Sequence, residues 1–261
     1  PASRLILTEV NWSASWTSEV QVTDTTGGST VQVYYNSGTN RRGPFTLWAN
    51  GGGANTSTSF ANILQTIDGL DPDAFTYMGT NGALELVTQD EDHLIQAAVR
   101  TSSGGNSRTF PALADVEANT ASPGRSLLIP NLSNDPSYRP SVVLFNPGTA
   151  SVTAWVMIAG SDGSQIGTAA TRALGAYEMS AVSSELRADT YSNATVMIMV
   201  ASPSGRVLAS GQTAHRASLD PAAHLAVLAS GSHPTSPSRW VILPEVNWSA
   251  SWVSEVQITD L

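Results

Sequence analysis

The chain of 261 residues carries a net charge of −9, has only 13% charged residues and contains no cysteine. An acidic surface repels phosphates, which argues against a nucleic-acid partner. Without cysteine, disulfides, thiolate metal sites and cysteine nucleophiles are excluded. Lysine is also absent, and solubility depends largely on 34 serines and 26 threonines, a surface that suits a secreted or cell-surface protein.

Short segments in which apolar and polar residues alternate recur along the chain, and this pattern predicts β-strands. The clearest is Glu19-Val20-Gln21-Val22-Thr23, which a turn-rich connector at residues 25–28 separates from the next strand. The other predicted strands are at residues 31–35, 45–48, 84–87, 94–99, 127–129, 142–145, 152–158, 196–200 and 206–212. The last two strands of each half are expected to form matching hairpins.

Helix signals are few and short. Residues 59–64 are predicted to form one helical turn with Ser59 as its N-cap, and residues 180–186 are the expected counterpart. Many short strands with few helices predict an all-β fold made of β-sandwiches of immunoglobulin-like size. No stretch of 18 apolar residues exists, so a membrane-spanning helix is not expected.

A sequence repeat divides the chain. Residues 6–24 (ILTEVNWSASWTSEVQVTD) and 242–260 (ILPEVNWSASWVSEVQITD) are identical at sixteen of nineteen positions, and residues 126–148 form a weaker third copy in the same register. The repeat predicts two tandem immunoglobulin-like β-sandwich domains, residues 1–121 and 122–236, followed by the first strands of a third repeat, residues 237–261. Linkers rich in Ser, Pro and Gly are expected at residues 118–125 and 229–239.

The second predicted domain resembles the β-sandwich repeats of large secreted bacterial cell-surface proteins. The resemblance rests on Leu128-Ile129-Pro130, on Tyr138-Arg139 leading into residues 142–148 (VVLFNPG), and on residues 207–213 (VLASGQT). The first domain departs from this pattern, with Thr8 in place of the proline and Thr17 in place of the arginine. The resemblance implies an extracellular surface module without a catalytic role.

Paired tryptophans are the sharpest local feature. Trp12 and Trp16 recur as Trp248 and Trp252. Such pairs could form a stacking platform for sugars. We expect instead that they cover the end of a sandwich or fill a contact between consecutive domains. In the second domain, Tyr138 stands at the position of Trp16.

The partial third repeat implies self-association. Two strands alone are marginally stable, so residues 240–261 are expected to complete another fold. In one alternative they act as donor strands for a second copy, with contacts at Trp248, Trp252, Val256 and Ile258, and make a head-to-tail homopolymer. In the other, the array continues, and the chain is a processed product or part of a longer protein.

Two acidic segments are candidate Ca²⁺ sites, because hard cations prefer several carboxylate oxygens. The carboxylates concerned are Asp68, Asp71, Asp73, Asp90 and Asp92. Solvated turns explain these segments without a metal and are the explanation we expect, so no cofactor is expected. Five N-x-Ser/Thr sequons are candidate glycosylation sites, at Asn11, Asn55, Asn131, Asn193 and Asn247. Such sequons also arise by chance in chains rich in Asn, Ser and Thr.

The sequence does not reveal a reaction. The four histidines have no metal-ligand spacing, and no nucleophile elbow, P-loop or dinucleotide fingerprint occurs. We therefore predict a non-enzymatic structural segment of an extracellular filament, stalk or surface layer that assembles with copies of itself. The alternative is a carbohydrate-binding adhesin module that uses exposed tryptophan pairs. A secreted hydrolase is the third hypothesis.

Overall fold

The computed structural model of the chain describes residues 1–48, 52–71, 81–103, 106–115, 119–217 and 221–230. Strands dominate these residues, which confirms the predicted all-β fold. The N-terminal half contains, in chain order, β1 (Arg4–Asn11), β2 (Thr17–Asp24), β3 (Val31–Ser37), β4 (Asn40–Trp48), β5 (Thr56–Phe60), α1 (Ile63–Leu70), β6 (Asn81–Thr88), β7 (Ile95–Ser103), β8 (Asn106–Pro111) and β9 (Leu113–Ala114).

The C-terminal half repeats this succession of elements. It contains β10 (Arg125–Asn134), β11 (Tyr138–Phe145), β12 (Val152–Ala159), β13 (Gln165–Leu174), β14 (Met179–Ala181), α2 (Ser183–Leu186), β15 (Tyr191–Val200), β16 (Leu208–His215), β17 (Pro221–Leu225) and β18 (Val227–Ser230).

Within the described residues the strands form four antiparallel sheets, two from each half. Sheet 1 has the order β4-β3-β6-β1-β9, and sheet 2 has the order β5-β2-β7-β8. Sheet 3 has the order β13-β12-β15-β10-β18, and sheet 4 has the order β14-β11-β16-β17. Each strand of the first two sheets has its counterpart nine strands later, so the two halves share one strand order. We call sheets 1 and 2 the N-terminal pair, and sheets 3 and 4 the C-terminal pair.

Each pair encloses its own apolar core between its two sheets. In β2, Val20 and Val22 are fully buried in the N-terminal core, whereas Gln21 between them is exposed. The period-two pattern of the sequence therefore places one face of this strand in the core, as alternation of side chains along a strand requires. Helix α1 closes the same core with Ile63, Leu64 and Ile67.

The predicted position of the first helix is wrong. Residues 56–60 form β5, in which Phe60 pairs with Val20 of β2, and the helix begins only at Ile63. Asn62 is the N-cap, and its side-chain oxygen accepts a hydrogen bond from the backbone N–H of Gln65. Asn and Ser are about equally favourable as N-cap residues. Ser59 does not act as the cap because it lies in β5, which pairs with β2. In the C-terminal half the expected helix likewise begins late, at Ser183 after β14.

The predicted hairpins are also wrong. Strands β6 and β7, which contain the segments expected to pair, lie in opposite sheets: β6 lies between β1 and β3, and β7 between β2 and β8. The connection crosses from one sheet to the other, and the Thr88 hydroxyl holds it by donating towards the carbonyls of Asp90 and His93. The counterparts β15 and β16 are divided between sheets 3 and 4 in the same way.

The second predicted linker begins too early. Ala229 and Ser230 belong to β18, where they pair with Ser126 and Arg125 at the edge of sheet 3. Backbone pairing with β10 extends the strand to Ser230, and the local composition of the segment does not reveal this pairing.

Candidate functional site

The two sheet pairs meet through an apolar cluster. Sheet 1 contributes Ile6 and Ala83, and sheet 4 contributes its outer face, opposite to the C-terminal core. We call this set the interface cluster; its buried members are Ile6, Ala83, Val143, Phe145, Met179 and Leu208. Next to it, the hydroxyl oxygens of Thr8 and Ser210 lie 2.6 Å apart, which adds a buried hydrogen bond between the pairs.

A network of charges also links the two sheet pairs. Glu85, whose side chain is 3% exposed, accepts hydrogen bonds from Arg4 Nε at 2.7 Å and from Arg41 Nη2 at 2.6 Å. Arg4 also contacts Asp115, which receives a second hydrogen bond from Arg206 at 2.8 Å. We call these five residues the junction network. Each buried carboxylate has two arginine partners, as buried charges require.

The junction network joins the two halves of the chain. Arg4 and Asp115 belong to the N-terminal half, whereas Arg206 belongs to the C-terminal half. Arg4 Nη2 also donates to the carbonyl oxygen of Pro147 at 2.8 Å. Burial raises the pKa of Asp115, and the positive charges of Arg4 and Arg206 partly oppose this rise.

Arg41 is held between aromatic rings from both halves. Its guanidinium carbon lies 3.8 Å from the ring centre of Tyr34 and 3.9 Å from that of Tyr177. Cation–π contacts of this kind strengthen when they are desolvated. Close by, the backbone N–H of Met179 donates to the carbonyl of Gly38 at 3.2 Å. The contact between the sheet pairs thus combines apolar, ionic, aromatic and backbone interactions.

Of the four tryptophans in the repeated pairs, the structure describes Trp12 and Trp16, and these two have different surroundings. Trp12 is half-buried and packs against the core of the N-terminal pair, so it covers one end of that core. Trp16 is half-buried beside Arg108, whose guanidinium carbon lies 5.2 Å from the ring centre, and it lines a cavity shared with sheet 4. The other proposed contact residues, Trp248, Trp252, Val256 and Ile258, lie outside the described residues.

One acidic segment forms a turn, and the other lies at the end of helix α1. Asp90 Oδ1 accepts hydrogen bonds from the backbone N–H groups of Asp92 and His93, each at 3.1 Å. Its contact with His93 Nδ1, followed by these backbone bonds, lowers the pKa of Asp90. Asp68 lies in the last turn of α1, and Asp71 caps its C-terminal end. Asp73 lies outside the described residues, within which no cluster of three potential metal ligands occurs.

The sequons occupy different positions. Asn55 is exposed in a turn, with a positive φ of 64°. Asn11, Asn131 and Asn193 are half-buried in strands, and Asn247 lies outside the described residues. Asn55 is therefore the described sequon most open to modification.

A half-buried histidine, His224, predicts acid sensitivity. Burial lowers the pKa of His224, on β17, to about 4, and its Nε2 has no hydrogen-bond partner in the described structure. The unfolded chain binds a proton near pH 6.5, and the folded chain does not until about pH 4, so stability falls as the pH drops through this window.

From pH 7 to pH 5 we expect this group to remove about 2 kcal/mol of folding free energy. Urea unfolding of the native chain and of His224→Gln at both pH values measures the difference. Equal losses in both proteins would assign the acid sensitivity to other groups.

Sequence reasoning missed the interface cluster, although one signal was present. Residues 142–145 (VVLF) are apolar without alternation, which is typical of a strand buried on both faces. In the structure, Val142 and Leu144 face the C-terminal core, and Val143 and Phe145 belong to the interface cluster. The counterpart strand β2 alternates with polar residues and has an outer face open to solvent.

Comparisons with known proteins do not assign a function to this chain, so the assignment depends on the geometry of the structure. In the described part of the chain, neither helix has the length and hydropathy that crossing a membrane requires. No protein-family model, no curated protein and no solved structure matches the chain.

Proposed function

We propose that the chain is a structural segment of an extracellular filament, stalk or surface layer, built from sheet pairs joined head to tail. One observation carries this proposal: the contact between the pairs is as buried as a protein core, and joins two units with the same strand order. Interfaces that resemble a core cut in half are typical of permanent contacts. The repeat of residues 6–24 at residues 242–260 extends the same plan along the sequence.

An apolar face on sheet 3 supports continued assembly. Leu128 occupies the repeat position of Ile6, and pairs in the sheet with Met197, which in turn pairs with Met157. The adjacent Trp155 is 49% exposed, Met157 and Met197 are half-buried, and Leu128 is only 4% exposed, so the open part of this face centres on Trp155. In sheet 1 the equivalent face is covered by sheet 4, so this face is where the next unit of an array would pack. Exposed apolar patches commonly mark protein interaction sites.

An edge strand that has one neighbouring strand within the described residues supports the strand-pairing version of this assembly. Strand β13 lies at the edge of sheet 3, is ten residues long and exposes about half of its side chains. Long open edges are templates for pairing with another chain. Residues 240–261, which repeat β1 and β2 of the first unit, are the proposed donor strands.

Electron microscopy of the purified chain tests the proposal. We expect regular filaments with an axial repeat of one N-terminal and one C-terminal pair, and we expect removal of residues 240–261 to abolish them. Filaments that persist unchanged after this truncation would overturn the donor-strand version. Dispersed particles from the intact chain would contradict self-assembly through either route.

The second candidate is a carbohydrate-binding adhesin module. It is favoured by Trp16, a half-buried aromatic ring that lines a cavity. Its partner in the sequence pair, Trp12, packs on the core, so this candidate depends on one tryptophan and not on a two-ring platform. Loss of sugar binding in Trp16→Ala, with the fold retained, is the test.

A further inference from the structure

A cavity of about 200 Å³ lies where the end of the N-terminal pair meets sheet 4. Trp16, from the β1–β2 connection, and Arg108 of β8 form one wall, and Arg139, Ser141 and Gln212 of sheet 4 form part of the other. Its volume is below the roughly 300–1,000 Å³ typical of pockets for drug-sized ligands, which favours a small ligand such as a single sugar ring.

The cavity is positively charged in an acidic protein. Three of the twelve arginines line it, namely Arg108, Arg139 and Arg187. Arg108 is paired with Glu9, with Nη2 3.3 Å from the carboxylate oxygen. Neither Arg139 nor Arg187 has a carboxylate partner among the described residues. Glu9 therefore compensates the charge of Arg108, and within the described residues the charges of Arg139 and Arg187 remain available for an anion.

The positive charge of Arg187 is repelled by neighbouring arginines. Arg187 Nε donates to the carbonyl oxygen of Pro140 at 3.1 Å, which holds this side chain beside β11. Burial, and then repulsion from Arg139 and Arg216, lowers the pKa of Arg187. Repulsion between like charges disfavours the ligand-free protein, and a bound anion would relieve it.

Arg108 supplies an independent indication of a ligand. Its side chain is only 10% exposed, and its Nε has no hydrogen-bond partner in the described structure. Its Nη1 donates to Gln212 Oε1, which fixes the guanidinium across the junction. An unsatisfied buried donor is costly and calls for an explanation such as an unobserved ligand.

We propose that this cavity binds a carboxylated sugar residue of the uronate type. The carboxylate would accept hydrogen bonds from Arg139 and Arg187, since guanidinium groups bind carboxylates through paired N–H donors. Trp16 would stack on the apolar face of the ring, and Ser141 and Gln212 would meet its hydroxyl groups. The inference rests on the second candidate function, whose sugar class it names, and is independent of head-to-tail assembly.

Isothermal titration calorimetry of the intact chain tests this with glucuronate and glucose, which differ only at C6. We expect glucuronate to bind at least tenfold more tightly than glucose. Arg139→Gln and Arg187→Gln should each lose at least tenfold in glucuronate affinity, Arg187→Lys should recover part of it, and Trp16→Ala should abolish binding. Arg100→Gln, an exposed arginine elsewhere on sheet 2, is the control and should not change affinity.

The outcomes separate the two proposals. Equal binding of glucose and glucuronate would overturn the acidic-sugar assignment while leaving a sugar-binding module in place. Failure of both sugars to bind would overturn both. Acetate binding as tightly as glucuronate would show an anion site that does not recognise a sugar, and unchanged affinity in both Arg139→Gln and Arg187→Gln would place the ligand elsewhere. Circular dichroism of each variant separates lost binding from lost folding.

Discussion

Replacement of Phe145 by alanine is expected to lower the free energy of unfolding by about 3–5 kcal/mol, the cost typical of deleting a buried Phe side chain. Phe145 is fully buried in the interface cluster, although it points away from the core of its own sheet pair. The lost packing is therefore packing between the two pairs. Denaturant unfolding measures the loss, and a single transition in the native chain should separate into two in the variant.

Tyr138→Ala is the matched control for Phe145→Ala. Tyr138 lies on the same strand but is 42% exposed, and its ring meets His215 edge-on. We expect its removal to cost less than about 1 kcal/mol, as is usual for surface positions. If the two variants lose similar stability, or if Phe145→Ala unfolds in one unshifted transition, the sheet pairs do not stabilise each other through the interface cluster.

Glu85→Ala is expected to destabilise the chain by about 3–5 kcal/mol, because it removes the shared partner of two arginines in a buried site. The carboxylate makes hydrogen bonds of 2.7 Å to Arg4 and 2.6 Å to Arg41. Arg4 would keep Asp115, whereas among the described residues the side chain of Arg41 would keep its contacts with the rings of Tyr34 and Tyr177. Chemical unfolding at pH 7 measures the change.

The control for Glu85→Ala is Glu19→Ala. Glu19 and Arg100 form a pair at 3.8 Å with both side chains largely exposed, and exposed pairs contribute only about 0–1 kcal/mol. A further variant, Glu85→Gln, keeps the shape of the side chain and removes the charge. A loss in Glu85→Ala no larger than that in Glu19→Ala would mean that the junction network does not contribute to stability.

The all-β fold could be predicted because its signals are local. Alternation in β2 places Val20 and Val22 inside, and the pleat of a strand fixes this direction without reference to the rest of the chain. Strands such as β5 and β13 were missed because edge strands face solvent on much of their surface. Their sequences, TSTSF and QIGTAATRAL, carry little apolar alternation.

The candidate site was far less predictable. Trp16 was identified from its repetition, but its neighbour Arg108 lies 92 residues later and Arg139 lies in the other half of the chain. In the junction network, Arg4 is 81 residues from Glu85 and 111 from Asp115. A charged residue has no local pattern that distinguishes a buried pair from a solvated surface, because burial depends on what packs against it.

The sequence by itself determined the composition of the surface, the all-β fold and the repeat, because composition, strand periodicity and repetition are properties of short segments. Only the tertiary structure decided which strands share a sheet, that the consecutive strands β6 and β7 lie in opposite sheets, and how the two halves contact each other. Those features depend on contacts between residues far apart in the chain. The interface cluster and the arginine-lined cavity form only when both sheet pairs have folded and packed together.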